Sequence, residues 1–381
     1  MSDIVYLDNA ATMPVRPEVL EAMLPYLKEN FANPSSIHPA GQEVRLAIER
    51  ARGQVAGLIG AEPAEVVFTS GATEANNLAI RGVLEPMLDR GEKPHAVTTS
   101  LEHPSVAETF KALAKRGLDL TVVDPDKNGV VSAQEVLAVV RPDTALVSVM
   151  MVNNELGTIQ PVEDITRGLR ASKSKALFHI DAVQAPIAVD IDVKKSGTDL
   201  LSLSAHKLGG PKGVGALFIR KGTKLEPSFS GGKQETGFRS GTENVAGIIG
   251  FGVAAGSLKS LNVSGRTKTS AFKKMLLERL AATGIAKPLF ENNATHIIPI
   301  EVPGTEADFL VLLLGRAGVM ISAGSACSSG SREASPVHAA IGLPEARAKS
   351  VLRVSLGYQN TEQDIAAFVE ALGAAIKKAR P

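Results

Sequence analysis

Residues 199–213 read DLLSLSAHKLGGPKG, and this stretch decides the fold. A run of leucines and small hydroxyl residues, short enough for a buried strand, stops at Ala205-His206-Lys207 and breaks at Gly209-Gly210-Pro211. Lys207 therefore stands at the carboxyl end of a strand, where open α/β sheets bind ligands. A free lysine has a pKa of about 10.4, so only ~0.04% is neutral at pH 7. A Schiff base to an aldehyde cofactor evades that problem. The alternative, a solvated surface lysine, fits poorly between apolar and glycine-rich flanks.

Outward from this strand the same rhythm repeats. Strands are expected at 64–69, 95–100, 118–123, 144–152, 175–180, 199–204 and 214–220, with helix-length segments between them. Val44, Ala47, Ile48, Ala51 and Val55 recur at helical spacing over 43–59, and Gly60 supplies a stop. Ser132 and Glu135 form a capping-box pattern opening 132–141. Such alternation predicts an α/β fold with a mostly parallel central sheet. The last third differs. Strands at 295–302 and 351–355 and amphipathic helices at 269–282 and 362–379 predict a smaller α+β domain. The expected division is 15–255 for the large domain, with 1–14 and 256–381 forming the small one.

Composition narrows the function. The 381 residues are 44% hydrophobic and 21% charged, which excludes disorder, and the length exceeds what one core usually fills. Lys+Arg (41) and Asp+Glu (40) balance, so nothing argues for DNA binding or a membrane surface. No uninterrupted apolar run reaches the ~18 residues of a bilayer span, and the N-terminus lacks a signal-peptide plan, so a cytoplasmic location is expected and the Asn293 sequon is expected idle. A single cysteine precludes an intrachain disulfide, and the histidines show no metal-ligand spacing, so no metal is expected.

Three further segments carry chemistry. Ser70-Gly71-Ala72-Thr73-Glu74 follows a strand and opens a helix pattern, which makes either an anion site of free N–H groups or a tight turn with Thr73 as N-cap. Asp181 ends a β-run as either an N-cap or the counter-ion of a protonated ring nitrogen. Cys327 lies in SAGSACSSGS (322–331), without the aliphatic neighbours of a buried structural thiol, and is either a nucleophile or incidental. Gly250-Phe251-Gly252 fits a loose dinucleotide pattern, but its surroundings read as helix.

Taken together the chain resembles the cysteine desulfurases, pyridoxal 5'-phosphate enzymes that take sulfur from L-cysteine. The matching stretches include YLDNAAT (6–12), NPSSIH (33–38), TSGATEANN (69–77), EH (102–103), NNELGTIQP (153–161) and DAVQA (181–185). They continue with SAHKLGGPKG (204–213), RSGTEN (239–244), GSACSSGS (324–331) and RVSLG (353–357). The long Ser/Gly segment around Cys327 is similar to that of the long-loop group I type. Met13, Ala32, Lys233 and Thr236 depart from the family pattern.

The resemblance implies the aminotransferase-like fold (fold type I), with helices on both faces of the central sheet. It implies that Lys207 holds the cofactor and moves the Cα proton. Asp181 would keep the pyridine nitrogen protonated, and Gln184 would bond the ring hydroxyl oxygen. Ala72, Thr73, Ser204 and His206 would hold the phosphate, joined by Thr242 from a second subunit of a homodimer. His103 would stack on the ring and serve in proton transfer, and Asn154 would sit over the cofactor near the substrate. Arg353 would clamp the substrate carboxylate. The mobile loop of the small domain would bring Cys327 to the substrate sulfur, and the persulfide would pass to an acceptor, either an iron–sulfur scaffold or a sulfur relay protein. The competing expectation is a selenocysteine lyase or another carbon–sulfur lyase of the same fold.

Overall fold

A computed structural model describes residues 4–290, 293–324 and 335–380. The chain begins with β1 (Val5–Tyr6), α1 (Pro17–Lys28) and α2 (Pro39–Ile59). Alternation follows: β2 (Val66–Thr69), α3 (Ala72–Asp89), β3 (His95–Thr99), α4 (Pro104–Ala114), β4 (Asp119–Val123), α5 (Ala133–Ala138), β5 (Thr144–Met150) and α6 (Val162–Ala171). Next come β6 (Leu177–Asp181), the short α7 (Ala185–Ala188) and α8 (Val193–Ser196), β7 (Leu200–Ser204) and β8 (Gly215–Ile219). The helix α9 (Val245–Thr283) leads to β9 (Lys287–Pro288), β10 (Ile297–Glu301), α10 (Ala307–Arg316) and β11 (Val319–Met320). The chain closes with α11 (Pro336–Ala340), α12 (Glu345–Ala348), β12 (Val351–Ser355) and α13 (Glu362–Ala379).

Seven strands form the central sheet in the order β2-β8-β7-β6-β5-β3-β4. The four ladders among β7, β6, β5, β3 and β4 are parallel, and β8 runs antiparallel to both β7 and β2. Strands β5 to β8 are almost wholly buried, which is why they read as apolar runs and not as alternating patterns. The expected α/β fold with a mostly parallel sheet is therefore present, each of these strands lying within about two residues of its expected bounds.

Two separate layers of core flank the sheet. One joins α2 and the first part of α9, through Val55, Ile59, Ile248 and Leu258, to Phe178 and Leu201. The other sets α3 and α4, through Leu78, Ile80, Phe110 and Leu113, against Leu146 and Leu217. A third cluster takes Leu7 and residues from Phe272 to Ile376, packing α9, α10 and α13 on β10 and β12. All five residues of the expected stripe in α13, Ile365, Phe368, Val369, Leu372 and Ile376, lie in it.

Several local expectations change. The helix expected over 269–282 is the second half of α9, 39 residues long, so residue 256 lies inside an unbroken helix. Its Val245–Asn262 stretch is long and apolar enough to cross a membrane, yet 61% of it is buried within the protein. The stretch tolerates Lys259, which is why a search for uninterrupted apolar runs passes over it. Ser132 caps α5 by accepting from the Glu135 N–H, but the helix ends at Ala138, short of the expected 141. At Gly60 the expectation holds: φ of 71° ends α2 in a left-handed cap.

Candidate active site

Strand ends and one helix start meet in a cavity of about 560 Å³ at the carboxyl edge of the sheet. Its position follows from the topology, because βα connections of a parallel sheet open at that edge. Ten expected residues line it: Ala72, Thr73, His103, Asn154, Asp181, Gln184, Ser204, His206, Lys207 and Arg353. Thr242 does not. It is exposed on the connection before α9 and borders a separate small pocket with Arg239 and Glu243. Cys327 lies outside the described residues.

One end of the cavity suits a phosphate. The N-cap of α3 is Gly71, not Thr73, and no side chain caps the helix. Thr73 lies two positions past the cap, so the first-turn N–H groups have no side-chain cap among the described residues. Gly71 can approach this closely because Gly215 on β8 faces it: a Cβ on Gly215 would come within 2.6 Å of the Gly71 carbonyl carbon. Lys212, which sequence reading did not single out, adds positive charge to the lining. His206 Nδ1 lies 3.1 Å from Thr12 Oγ1. Burial, then the Lys207 and Lys212 charges, push its pKa down to about 4.

The middle of the cavity suits a protonated pyridine. Asp181 ends β6, is nearly buried, and accepts from Asn76 Nδ2 (2.8 Å) and the Val183 N–H (3.1 Å). It caps no helix, since the N-cap of α7 is Gln184. Its charge in a buried place calls for a cation. Lys207 Nζ donates to the carbonyls of Ala10 (2.6 Å) and Ala11 (2.7 Å). Gln184 Nε2 donates to the same Ala10 carbonyl at 2.9 Å, so the YLDNAAT segment steadies both side chains. These donors, the buried carboxylate and the cavity lysine fit pyridoxal 5'-phosphate.

The far wall suits a carboxylate. Arg353 on β12 is 2% exposed; Nη1 donates to the Asn154 carbonyl (3.0 Å) and Nη2 to Asp8 Oδ1 (2.8 Å). Its Nε is buried without an acceptor among the described residues. His103 begins α4 and caps it, accepting at Nδ1 from the Ser105 N–H. Burial holds its pKa below the usual imidazole value; Asp181 opposes that shift and Lys207 adds to it. Beside it Glu102 is fully buried, and its pKa is pushed up to about 8 by desolvation. Among the described residues, no three His, Cys, Asp or Glu side chains group to hold a metal ion.

The connection bearing Thr242 is anchored below the cavity. Glu235 and Thr236 hold left-handed φ of 44° and 53°, strained for side chains of their size. The Glu235 carboxylate accepts from Arg52 Nη1 (2.6 Å) and Nη2 (2.9 Å) and from the Phe68 N–H (2.7 Å). Arg239 Nε, 3.1 Å from Glu74, ties the same connection to the first turn of α3.

Comparison with known proteins agrees with this geometry. The family described as aminotransferase class-V matches residues 5–368. The cysteine desulfurase IscS of Methanosarcina thermophila is 44% identical over 381 residues, covering 99% of this chain and 93% of that protein. A putative cysteine desulfurase IscS 1 of Bacillus subtilis (strain 168) is 42% identical over 378 residues, 98% of this chain and 99% of that protein. Among solved structures, a NifS-like protein superposes with a TM-score of 0.92 at 36% identity, covering 98% of this chain and all (100%) of that one. SspA in complex with cysteine superposes with a TM-score of 0.83 at 37% identity, covering 93% and 99% respectively.

Proposed function

We propose, for a chain that belongs to the class-V aminotransferase family and is a pyridoxal-phosphate-dependent cysteine desulfurase, that the cavity below Arg353 converts L-cysteine to L-alanine and passes the sulfur to Cys327. The observation that carries this assignment is the meeting of Lys207, Asp181, His103 and Arg353 in one cavity with the uncapped start of α3. Bound pyridoxal phosphate supplies an electron sink for the substrate Cα. Ala72, Thr73, Ser204 and His206 hold its phosphate, with Thr242 added by a second copy of the chain. Asp181 keeps a proton on the ring nitrogen by its charge, and Gln184 orients the ring. Asn154 would lie against the cofactor ring near the substrate, and Arg353 would bind the substrate carboxylate and so orient the Cα–H for Lys207, which lines the same cavity. Lys207 takes that proton. Cys327 thiolate then attacks the substrate sulfur: the S–S bond forms, the S–Cβ bond breaks, and its electron pair and a proton leave Cβ as the alanine methyl.

The assembly proposed is a homodimer in the cytoplasm. Leu20, Leu24, Leu27, Phe31, Ile37 and Leu46 are all exposed in α1, α2 and their connection, with Phe31 at 79% and Ile37 at 94%. An apolar surface of that extent supports a subunit contact. A compartment that keeps thiols reduced suits an enzyme with one working cysteine. The large domain spans 15–255 and the small one 1–14 with 256–381, the Cys327 loop belonging to the small one and long enough to carry sulfur to an iron–sulfur scaffold or relay protein. Incubation with L-cysteine and no acceptor tests the reading: alanine forms, and one reductant-sensitive sulfur is added on Cys327. Cys327→Ser binds L-cysteine, seen as a change in the cofactor's visible spectrum, but releases little alanine. Near-normal alanine release by that variant refutes transfer to Cys327.

A further inference from the structure

His103 is wired in a way that its place beside Asp181 conceals. The Ser105 backbone N–H donates to His103 Nδ1 at 3.1 Å, and Ser105 Oγ lies 2.8 Å from the same nitrogen. A backbone N–H can only donate, so Nδ1 carries a lone pair. Asn76 Nδ2 donates to Ser105 Oγ (2.9 Å) and to Asp181 Oδ2 (2.8 Å). Ser105 Oγ thus receives one hydrogen bond and has its own proton left for Nδ1. The Asn76 amide, the Ser105 hydroxyl and the Ser105 backbone N–H then each have an acceptor, and all four residues of the chain Asp181–Asn76–Ser105–His103 are largely buried.

The arrangement is the reverse of a carboxylate–histidine dyad, where a carboxylate accepts the Nδ1 proton and supports imidazolium formation. Here an amide and a hydroxyl separate Asp181 from the ring, and neither side chain takes up a proton at ordinary pH. A proton on Nδ1 would face the Ser105 backbone N–H, which cannot turn to accept it. With Nδ1 filled, the proton of neutral imidazole resides on Nε2, which makes no hydrogen bond to any described residue. We infer that Asn76 and Ser105 are positioning residues that lock His103 as the neutral Nε2–H tautomer, so that it serves the reaction as a fixed hydrogen-bond donor and leaves proton movement at Cα to Lys207. The inference rests on the desulfurase reading for the reaction, but the tautomer itself does not. The ionisable groups facing the ring are Asp181 at the end of β6 and Lys207 after β7; Asp181 favours a ring proton, while Lys207 and burial oppose one. Glu102, the neighbour on the same connection, is protonated at pH 7 and adds no charge.

The test is nitrogen NMR on holoenzyme labelled with 15N-histidine, the His103 signals being assigned by comparison with His103→Asn. At pH 7 the expected spectrum has a bonded proton on Nε2 and none on Nδ1. A proton on Nδ1, or on both nitrogens, overturns the proposal. Ser105→Ala removes one acceptor-seeking hydroxyl while the backbone N–H remains. The loss of one such bond, roughly fivefold in the ring's protonation equilibrium, moves the His103 titration up by about 0.7 pH units, and the acid limb of kcat moves with it. An unmoved titration overturns the role of Ser105. Alanine production by the same sample separates the two readings. Alanine with a protonated Nδ1 refutes the wiring alone, whereas no alanine with the expected tautomer refutes the desulfurase assignment alone.

Discussion

Arg353→Lys asks which group receives the substrate carboxylate. A guanidinium has five N–H donors. Among the described residues two are engaged, one on the Asn154 carbonyl at 3.0 Å and one on Asp8 at 2.8 Å, which leaves three, including the buried Nε–H. An unmet buried donor costs about 1–3 kcal/mol, and a carboxylate arriving along Nε and Nη cancels that cost while forming a paired contact. Lysine keeps the charge next to Asp8 but must serve Asp8, Asn154 and substrate from one point. It therefore loses at least one charge-assisted bond to substrate, worth about 1.5–3 kcal/mol, or roughly 10–150-fold in kcat/KM for L-cysteine.

Steady-state alanine production from L-cysteine, beside sulfur release from cysteamine, measures this loss and locates it. Cysteamine has the amine and thiol without the carboxylate, so the penalty of Arg353→Lys disappears with it. A change below twofold for L-cysteine, or an equal loss on both substrates, refutes carboxylate binding and leaves Arg353 as a tie between β12, Asp8 and Asn154. Lysine is the informative choice because alanine would strand Asp8, and breaking a buried pair costs about 3–5 kcal/mol in stability alone.

Lys207→Ala is expected to purify without the visible band of covalently held cofactor and to make no alanine; a retained band would place the attachment on another lysine. Glu235→Gln removes the charge of a carboxylate that pairs with Arg52 and is only 3% exposed, and is expected to lower unfolding free energy by about 3–5 kcal/mol in urea, an unchanged midpoint refuting the anchor. Stability is expected to peak near pH 6.5. Buried His179, His296 and His338, with folded pKa values of about 4, 3 and 4 against 6.5, withdraw stability as pH falls below 6.5, and His206, lowered to about 4, acts in the same sense. Glu102, raised from 4.5 to about 8, acts in the opposite sense between those values, so the four histidines outweigh it below pH 6.5 and it withdraws stability as pH rises from 6.5 toward 8. Urea midpoints at pH 5.5, 6.5 and 8 check this, and a rise from 6.5 to 5.5 contradicts it.

The central sheet is legible because all its strands but the edge strand β4 are buried along nearly their whole length, so they appear as short runs with a clear stop. Helix starts are less legible. The first turn of α2, at Pro39, buries only Gly41, and apolar spacing registers the helix only from Val44 onward. The long α9 is illegible as one element for a different reason. Its first half packs through Ile248, Phe251 and Leu258 into the core of the central sheet, while its second half packs through Phe272, Leu276 and Leu280 into another core. A helix serving two cores need not keep one apolar stripe, so its pattern reads as two segments. Two-residue strands such as β1 and β11 carry too few residues for any periodicity.

At the site, what the sequence makes visible are side chains whose chemistry is costly unless used: a lysine at a strand end, a carboxylate in an apolar run, an arginine in a strand. What it hides are the groups that make those side chains usable. The carbonyls of Ala10 and Ala11 hold Lys207 from 197 and 196 positions away, and a carbonyl has no residue-type signal. Asn76 lies within a quoted motif, yet its task depends on Ser105, 29 positions on, and on Asp181, 105 positions on. The same separation explains why His103 is readable as a titratable group but not as a tautomer. Residue type states that the ring can carry a proton on either nitrogen. Only the meeting of α3, the start of α4 and the end of β6 decides that Nδ1 receives donors and that Nε2 is left for the cavity. Reactivity here is thus set less by which ionisable groups are present than by which neutral donors reach them first.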